Sequence, residues 1–329
     1  MPLPEPPIAS IGNRDPFLLA FRSARFRFRL RTLSHVELPA EKGSTFHGAL
    51  GHVLKRQAPL SYRFLYEPTS AEIAPGLASQ RDPPRPFALL PPLETTTEFP
   101  EGSELSLELT FFGHAIGQFS VCLSALAMLG LIGIGRNRGR FEVAEVEAIL
   151  PDCDPRTVYR GDTQRFEDSP EGVCGATIAA SRGVEPGSDL SVRLMTRLRL
   201  KDHDHLVRRA PPFAVLMQRL LERAEWLGLL YHRDATLDSE TKRGLIDQAR
   251  AIEIMSHDLY WDDWSRYSGR QHTWMKFGGL LGEITYRGDL TPFLPWLALG
   301  EWMHIGGKTS FGLGRYTIEP RPKVNPSPQ

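Results

Sequence analysis

The sequence predicts an α+β chain of two tandem ferredoxin-like domains, the second ending in a glycine-rich loop. Three observations carry this. A chain of 329 residues, 41% hydrophobic and 24% charged, has room for two ordinary domains, each with its own core. Two stretches alternate basic with apolar residues at period two, Arg25–Arg31 and Leu190–Lys201, and a helical pattern follows each. Between them, residues 151–188 turn polar and rich in Asp, Pro and Gly, the composition of a boundary. The division that follows is an extended tail at 1–13, an N-terminal domain at 14–165, a linker at 166–188 and a C-terminal domain at 189–329.

Taken in order, the proline-rich tail leads into Arg25-Phe26-Arg27-Phe28-Arg29-Leu30-Arg31, which as a strand sends every arginine to one face and the apolar residues to the other. Two uses fit this face. Arg25, Arg27, Arg29 and Arg31 can grip phosphate oxygens with paired N–H donors, or they can be neutralised by acids such as Glu104 and Glu108 on a neighbouring strand. Next, Ser44 or Thr45 caps a helix whose stripe is Phe46, Leu50, Val53 and Leu54. At about 100° per residue His47 falls at the stripe's edge, half-shielded, while His52 and Lys55 point away. A half-shielded imidazole keeps its titration near neutrality and stays within reach of a substrate, or it serves as a hydrogen-bonded histidine at a domain seam.

Residues 57–102, with Pro83-Pro84 and Pro91-Pro92, read as a long connection containing short strands. A strand from Leu105 to Phe111, a helix from Phe119 to Leu129 and a strand from Phe141 to Leu150 complete the first domain. In the second, the alternation of Leu190, Val192, Leu194, Leu198 and Leu200 with Arg193, Arg197, Arg199 and Lys201 repeats the basic-face design. A helix opened by Pro211-Pro212 runs to about Tyr231, another covers 241–255, and a strand begins at Arg315.

Two segments combine glycine with basic charge. Gly130 to Arg140 carries Arg136, Arg138 and Arg140, and reads as a phosphate contact or a solvated turn. Gly300 to Tyr316 holds Gly306, Gly307, Gly312 and Gly314 with Lys308 and Arg315, and so much glycine suits neither a helix nor a strand interior. Such a backbone can approach a bulky anion closely, with Trp302, Phe311 and Tyr316 as flat faces for bases, or it can be a tight turn between packed elements. It is not a Walker A loop, because the glycine that spacing demands falls on Trp302.

Several classes fall away. Cys122, Cys153 and Cys174 are odd in number and lack CxxC spacing, against a disulfide framework or a zinc ribbon. His203-Asp204-His205 has metal-ligand types but no further ligand at recognisable spacing. The N-terminus has no basic segment leading into an apolar one, and the apolar window Val121–Ile134 is too short to span a bilayer, so the expectation is a cytoplasmic protein without a membrane partner. Formal net charge is zero, yet six arginines against one acid between Arg14 and Arg31 show that the charge is unevenly placed.

The run Gly282-Glu283-Ile284-Thr285-Tyr286-Arg287-Gly288-Asp289-Leu290, then Pro292-Phe293-Leu294-Pro295, Leu299-Gly300-Glu301-Trp302 and Phe311-Gly312-Leu313-Gly314-Arg315-Tyr316, resembles the C-terminal region of the CRISPR-associated endoribonucleases that process repeat RNA, the Cas-six family of the RAMP superfamily. The segments around His47 and around Gly130–Arg140 resemble the same family. The resemblance implies metal-independent cleavage of precursor crRNA with no cofactor. The 2′-OH beside the scissile phosphate attacks, leaving a 2′,3′-cyclic phosphate and a 5′-OH. His47 is then the expected base or acid, Lys55 or Arg56 the charge beside it, and His304 the competing histidine. CRISPR repeat RNA is the expected partner. A non-catalytic subunit that holds guide RNA among other effector subunits is the alternative.

Overall fold

Arginine and phenylalanine alternate along β1 (Arg22–Thr32) because a strand divides its side chains between two faces; Phe26, Phe28 and Leu30 are fully buried on one of them. The computed structural model describes residues 15–69, 83–168, 171–182, 189–268 and 273–321. The tail at 1–13 lies outside them. In the N-terminal half, β1 is followed by α1 (Gly43–Gln57), α2 (Pro59–Tyr66), β2 (Phe87–Leu90), β3 (Glu104–Phe112), α3 (Phe119–Ile132) and β4 (Phe141–Ile149). The antiparallel order is β2-β3-β1-β4, the ferredoxin-like arrangement, and a further strand, β5 (Arg156–Arg160), extends the β4 edge. The C-terminal half repeats it with β6 (Asp189–Leu198), α4 (Phe213–Tyr231), β7 (Glu253–His257), β8 (Gly279–Arg287), α5 (Leu294–Met303) and β9 (Tyr316–Arg321), in the order β7-β8-β6-β9. The helix expected over 241–255 is split, into Ser239–Ala249 and the edge strand β7, because pairing with β8 overrides the helical pattern.

The stretch 166–188 is not a loose linker where it is described. Phe166 pairs with Tyr159, Val173-Cys174 pairs with Arg22-Ser23, and Gly175–Ala180 is helical. That helix sends Ala176 and Ile178 into the C-terminal core, together with Phe17, Leu18 and Phe21 from the start of the chain. Gly113–Ile132, a 3-10 turn running into α3, is twenty residues long and apolar enough by length and composition to cross a bilayer, longer than the window read from sequence. It packs Phe119, Cys122, Leu123, Leu126 and Leu129 into the N-terminal core.

The open face of β1 is a charge ladder. Arg27 lies opposite Glu108 of β3 and Glu147 of β4, Arg29 opposite Glu145, and Arg31 opposite Glu104 and Glu142. Glu142 and Glu145 are three apart and would fall on opposite faces of a regular strand; a bulge opposite Arg29/Leu30 turns both toward the arginines. Ion pairs follow at 3.0 Å for Arg27–Glu108 and 3.1 Å for Arg29–Glu147, and Arg31 pairs with Glu142. In the second sheet Arg193 pairs with Glu283 at 3.1 Å, and Arg197 with Glu41 at 2.8 Å and with Asp262. The arginine rows therefore do not form one continuous basic track. They are largely neutralised by carboxylates on neighbouring strands and loops.

Candidate nucleic-acid interface

The two halves meet at the C-terminal end of α5. A helix leaves its last carbonyls unpaired and its C-terminus partly negative, so guanidiniums gather there. Arg25 of β1 donates to the Glu301 carbonyl at 2.8 Å and lies 4.3 Å from the Trp302 ring; Arg315 donates to the same carbonyl. Arg223 donates twice to the Met303 carbonyl, at 2.9 and 3.1 Å. The Glu301 carboxylate accepts both prongs of Arg182, at 2.8 and 3.0 Å. Burial lowers Arg25 to about 9 and Arg223 to about 10. Arg25 and Arg315 thus belong to the joint rather than to an open RNA face, and Trp302 and Tyr316 are buried rather than offered to bases.

His304 sits in the same joint, 2% exposed, and its Nδ1–H donates to the Leu313 carbonyl at 3.2 Å. Burial first, and then the charges of Arg315, Arg25 and Arg223, hold its imidazole well below the usual value. This histidine is corrected from a catalytic candidate to a loop strut, because it lies beyond the reach of a substrate and of useful titration.

The glycine loop is pinned to the second sheet: Gly307 N–H donates to the Arg199 carbonyl at 2.9 Å and Gly314 N–H to the Arg197 carbonyl at 3.0 Å. At Gly314, φ is +78° and a Cβ would lie 1.9 Å from the Ile305 oxygen, so no other residue fits without movement. The loop's far side receives the N-terminus of α1. A Cβ on Gly43 would stand 2.1 Å from the Phe311 oxygen, and the resulting close approach brings His47 beneath the loop. The His47 ring lies 3.7 Å from the Phe311 ring and 4.7 Å from the Tyr66 ring. Its Nδ1–H donates to the Ser310 carbonyl at 2.9 Å, which makes Nε2 the basic nitrogen. His47 is 6% exposed, more enclosed than its place on the helical wheel predicts.

Tyr66 and Arg85 are residues that sequence reasoning missed, and Phe311, expected as a flat face for bases, lies against the His47 ring. Tyr66 donates its O–H to the His47 carbonyl at 3.1 Å, and Gly51 leaves room for its ring. Arg85 donates to the Tyr66 carbonyl at 3.0 Å and stands 6.0 Å from the Phe311 ring. Lys308 Nζ is 4.3 Å from the Phe277 ring and 5.8 Å from the Phe311 ring. A hollow of about 650 Å³ opens beside Gly306–Ser310, walled by Arg85, Arg199, Lys201, Arg219, Arg223, Lys308 and Trp226, with Glu222 as its one acid. The buried Nε of Arg219 has no hydrogen-bond partner among the described residues. Cations from both halves therefore face one space beside main chain that lacks side-chain bulk, an arrangement suited to a polyanion.

Other expected residues lie elsewhere. Lys55 is exposed, two turns beyond His47, with Nζ 5.3 Å from the Tyr62 ring. Arg136, Arg138 and Arg140 project from a turn on the N-terminal half, where Arg136 pairs with Glu37 at 3.3 Å. His203 and Asp204 occupy the φ-positive tip of a two-residue hairpin turn. Among the described residues no three His, Cys, Asp or Glu come together as a metal site.

Residues 192–316 match the family model described as CRISPR-associated endoribonuclease Cas6, and residues 21–171 match one described as an N-terminal domain. No curated protein matches the chain. Among solved structures, a Cas6 product complex aligns with TM-score 0.57 and 17% identity over 91% of this chain and 99% of that one. Thermus thermophilus Cas6 aligns with TM-score 0.56 and 16% identity over the same shares. A partial Cas6-RT-Cas1–Cas2 complex gives TM-score 0.60 and 15% identity over 93% of this chain and 47% of that one. These structures share their fold with this chain, and the family model covers the segment that carries β6, β8, α5 and the glycine loop. Residues 192–316 are thus similar to the Cas6 family of CRISPR-associated endoribonucleases, and the chain as a whole shares the fold of solved Cas6 structures.

Proposed function

We propose that this chain binds CRISPR repeat RNA beside the glycine loop and cleaves it by attack of the RNA's own 2′-OH. The observation that carries the reading is the junction of α1 with the loop, where His47, Lys308 and Arg85 gather around Phe311. In this scheme Nε2 of His47 takes or returns a proton, its tautomer fixed by the Ser310 carbonyl. Lys308 and Arg85 oppose the charge that grows on the phosphorane, and the hollow lined by Arg199 and Arg219 receives the flanking backbone. The RNA supplies the nucleophile, so the products carry a 2′,3′-cyclic phosphate and a 5′-OH. A cytoplasmic setting goes with such a substrate.

The decisive experiment incubates the full chain with a repeat stem-loop in EDTA and compares it with RNA bearing a single 2′-deoxy at the cut. Cleavage of the first and tight binding without cleavage of the second support the reading. Cleavage of both overturns it. A second reading, a non-catalytic subunit that holds guide RNA, is favoured by the enclosure of His47 beneath Phe311. Tight binding of the all-ribose repeat without product selects it.

A further inference from the structure

On the face of α1 away from His47 lies a second hollow, of about 730 Å³, between α1, α3 and the turn at 133–138. Thr45, Ala49, His52, Val53 and Arg56 line it at helical spacing, and their mean direction is about 180° from His47 at ~100° per residue. Its floor is aliphatic, formed by Ala49 and Val53 of α1 and Met128, Leu129 and Ile132 of α3. The apolar surface continues outward, since Ile132 is 48% and its neighbour Leu131 60% exposed. His52, Arg56, Arg136 and Arg138 form the rim, and no carboxylate is among the lining residues. The turn that carries Arg136 and Arg138 is held in place: Arg136 N–H donates to the Glu37 carbonyl at 3.0 Å, and Asn137 Oδ1 accepts from Glu37 N–H at 3.0 Å.

We propose that this groove docks an acidic amphipathic helix of a protein partner. A groove between two packed helices with an apolar floor takes the apolar stripe of a third, and a cationic rim demands acidic residues flanking that stripe. A single nucleic-acid strand is a poorer fit, because it stacks on aromatic rings and the floor has none. A second copy of this chain placed face to face would set arginines against arginines. The proposal stands apart from the RNA reading.

The test selects a displayed library of helical peptides on the full chain, then titrates the enriched peptide, fluorescently labelled, by anisotropy. The expected peptides carry Asp or Glu beside apolar residues at helical spacing and protect residues 45–57 and 128–138 from hydrogen exchange. Ile132→Asp, at an exposed position, and the pair Arg136→Glu with Arg138→Glu weaken binding about tenfold or more, and Ile132→Asp leaves repeat-RNA cleavage unchanged. An empty selection, peptides without acidic residues, protection elsewhere, or equal binding by the variants overturns the proposal. It is also overturned if the charge-reversed pair loses RNA affinity and not peptide affinity, or if Ile132→Asp converts a dimer into monomers in sedimentation.

Discussion

Loop 133–139 and loop 305–314 both crowd glycines beside basic residues, yet the first is closed by its own half of the molecule and the second by the other half. A Cβ on Gly135 would meet the Glu37 oxygen, and Ile134 bridges Gly139, so every support of the first loop lies close by in the same half. The second loop is seated by Gly43, His47 and Pro91 from the N-terminal half while its own strands hold Gly307 and Gly314. Composition alone does not tell a surface turn from a domain joint. What tells them apart is the origin of the atoms that the missing side chains make room for.

That contrast is sharpest at Glu301, whose carbonyl accepts from Arg25 and Arg315 while its buried carboxylate accepts from Arg182 and the Ile318 N–H. Glu301→Ala leaves the carbonyl but removes the carboxylate that Arg182 and the buried Ile318 N–H share and that offsets the charges of Arg25 and Arg315, and is expected to cost about 3–5 kcal/mol in urea unfolding. Gly314→Ala, facing both a positive φ and the Ile305 oxygen, is expected to cost about 3 kcal/mol by the same measurement. For chemistry, His47→Ala is expected to slow repeat-RNA cleavage by ~10²-fold or more with little change in RNA affinity, and His47→Asn, which retains a donor for the Ser310 carbonyl, falls as far. Loss of affinity in place of rate would mark His47 as part of the joint alone.

The fourth expectation concerns pH. His304 has a depressed pKa in the fold and an ordinary one, near 6.5, when unfolded, so as pH falls the unfolded chain binds the proton first. Stability from this group is intact above about pH 6.5 and is lost on going lower. Thermal melts from pH 7 to pH 5 should show a drop that is smaller in His304→Asn by something on the order of 1 kcal/mol. Last, Arg136→Ala in the surface turn, its side chain 85% exposed, should change stability by less than about 0.5 kcal/mol. A large loss there would erase the distinction between the two loops.

Both ferredoxin-like units were legible because alternation and helical stripes are local patterns: Phe26, Phe28 and Leu30, or Leu190 and Val192, declare their faces within a few residues. The pairing of β1 with Glu104 and Glu108 was visible as one of two readings. The contribution of β4 was not, since it depends on a bulge that brings Glu142 and Glu145 to one side. His47 was marked by its place on α1 and by resemblance. Tyr66 and Arg85 escaped because each reaches it through folding, and Gly51, whose missing Cβ admits the Tyr66 ring, was the available clue; Phe311 was marked as a face for bases and not as a neighbour of His47. His304 misled because adjacency to a glycine loop in sequence says nothing about which side of the loop a ring enters.

The hydrogen bond from His47 to Ser310 spans 263 positions of chain. During synthesis the imidazole leaves the ribosome long before the carbonyl that orients it. A nascent or prematurely terminated polypeptide therefore carries the ring without the carbonyl that orients it, and that setting is complete only when the last strand-and-loop unit has folded back onto the first helix.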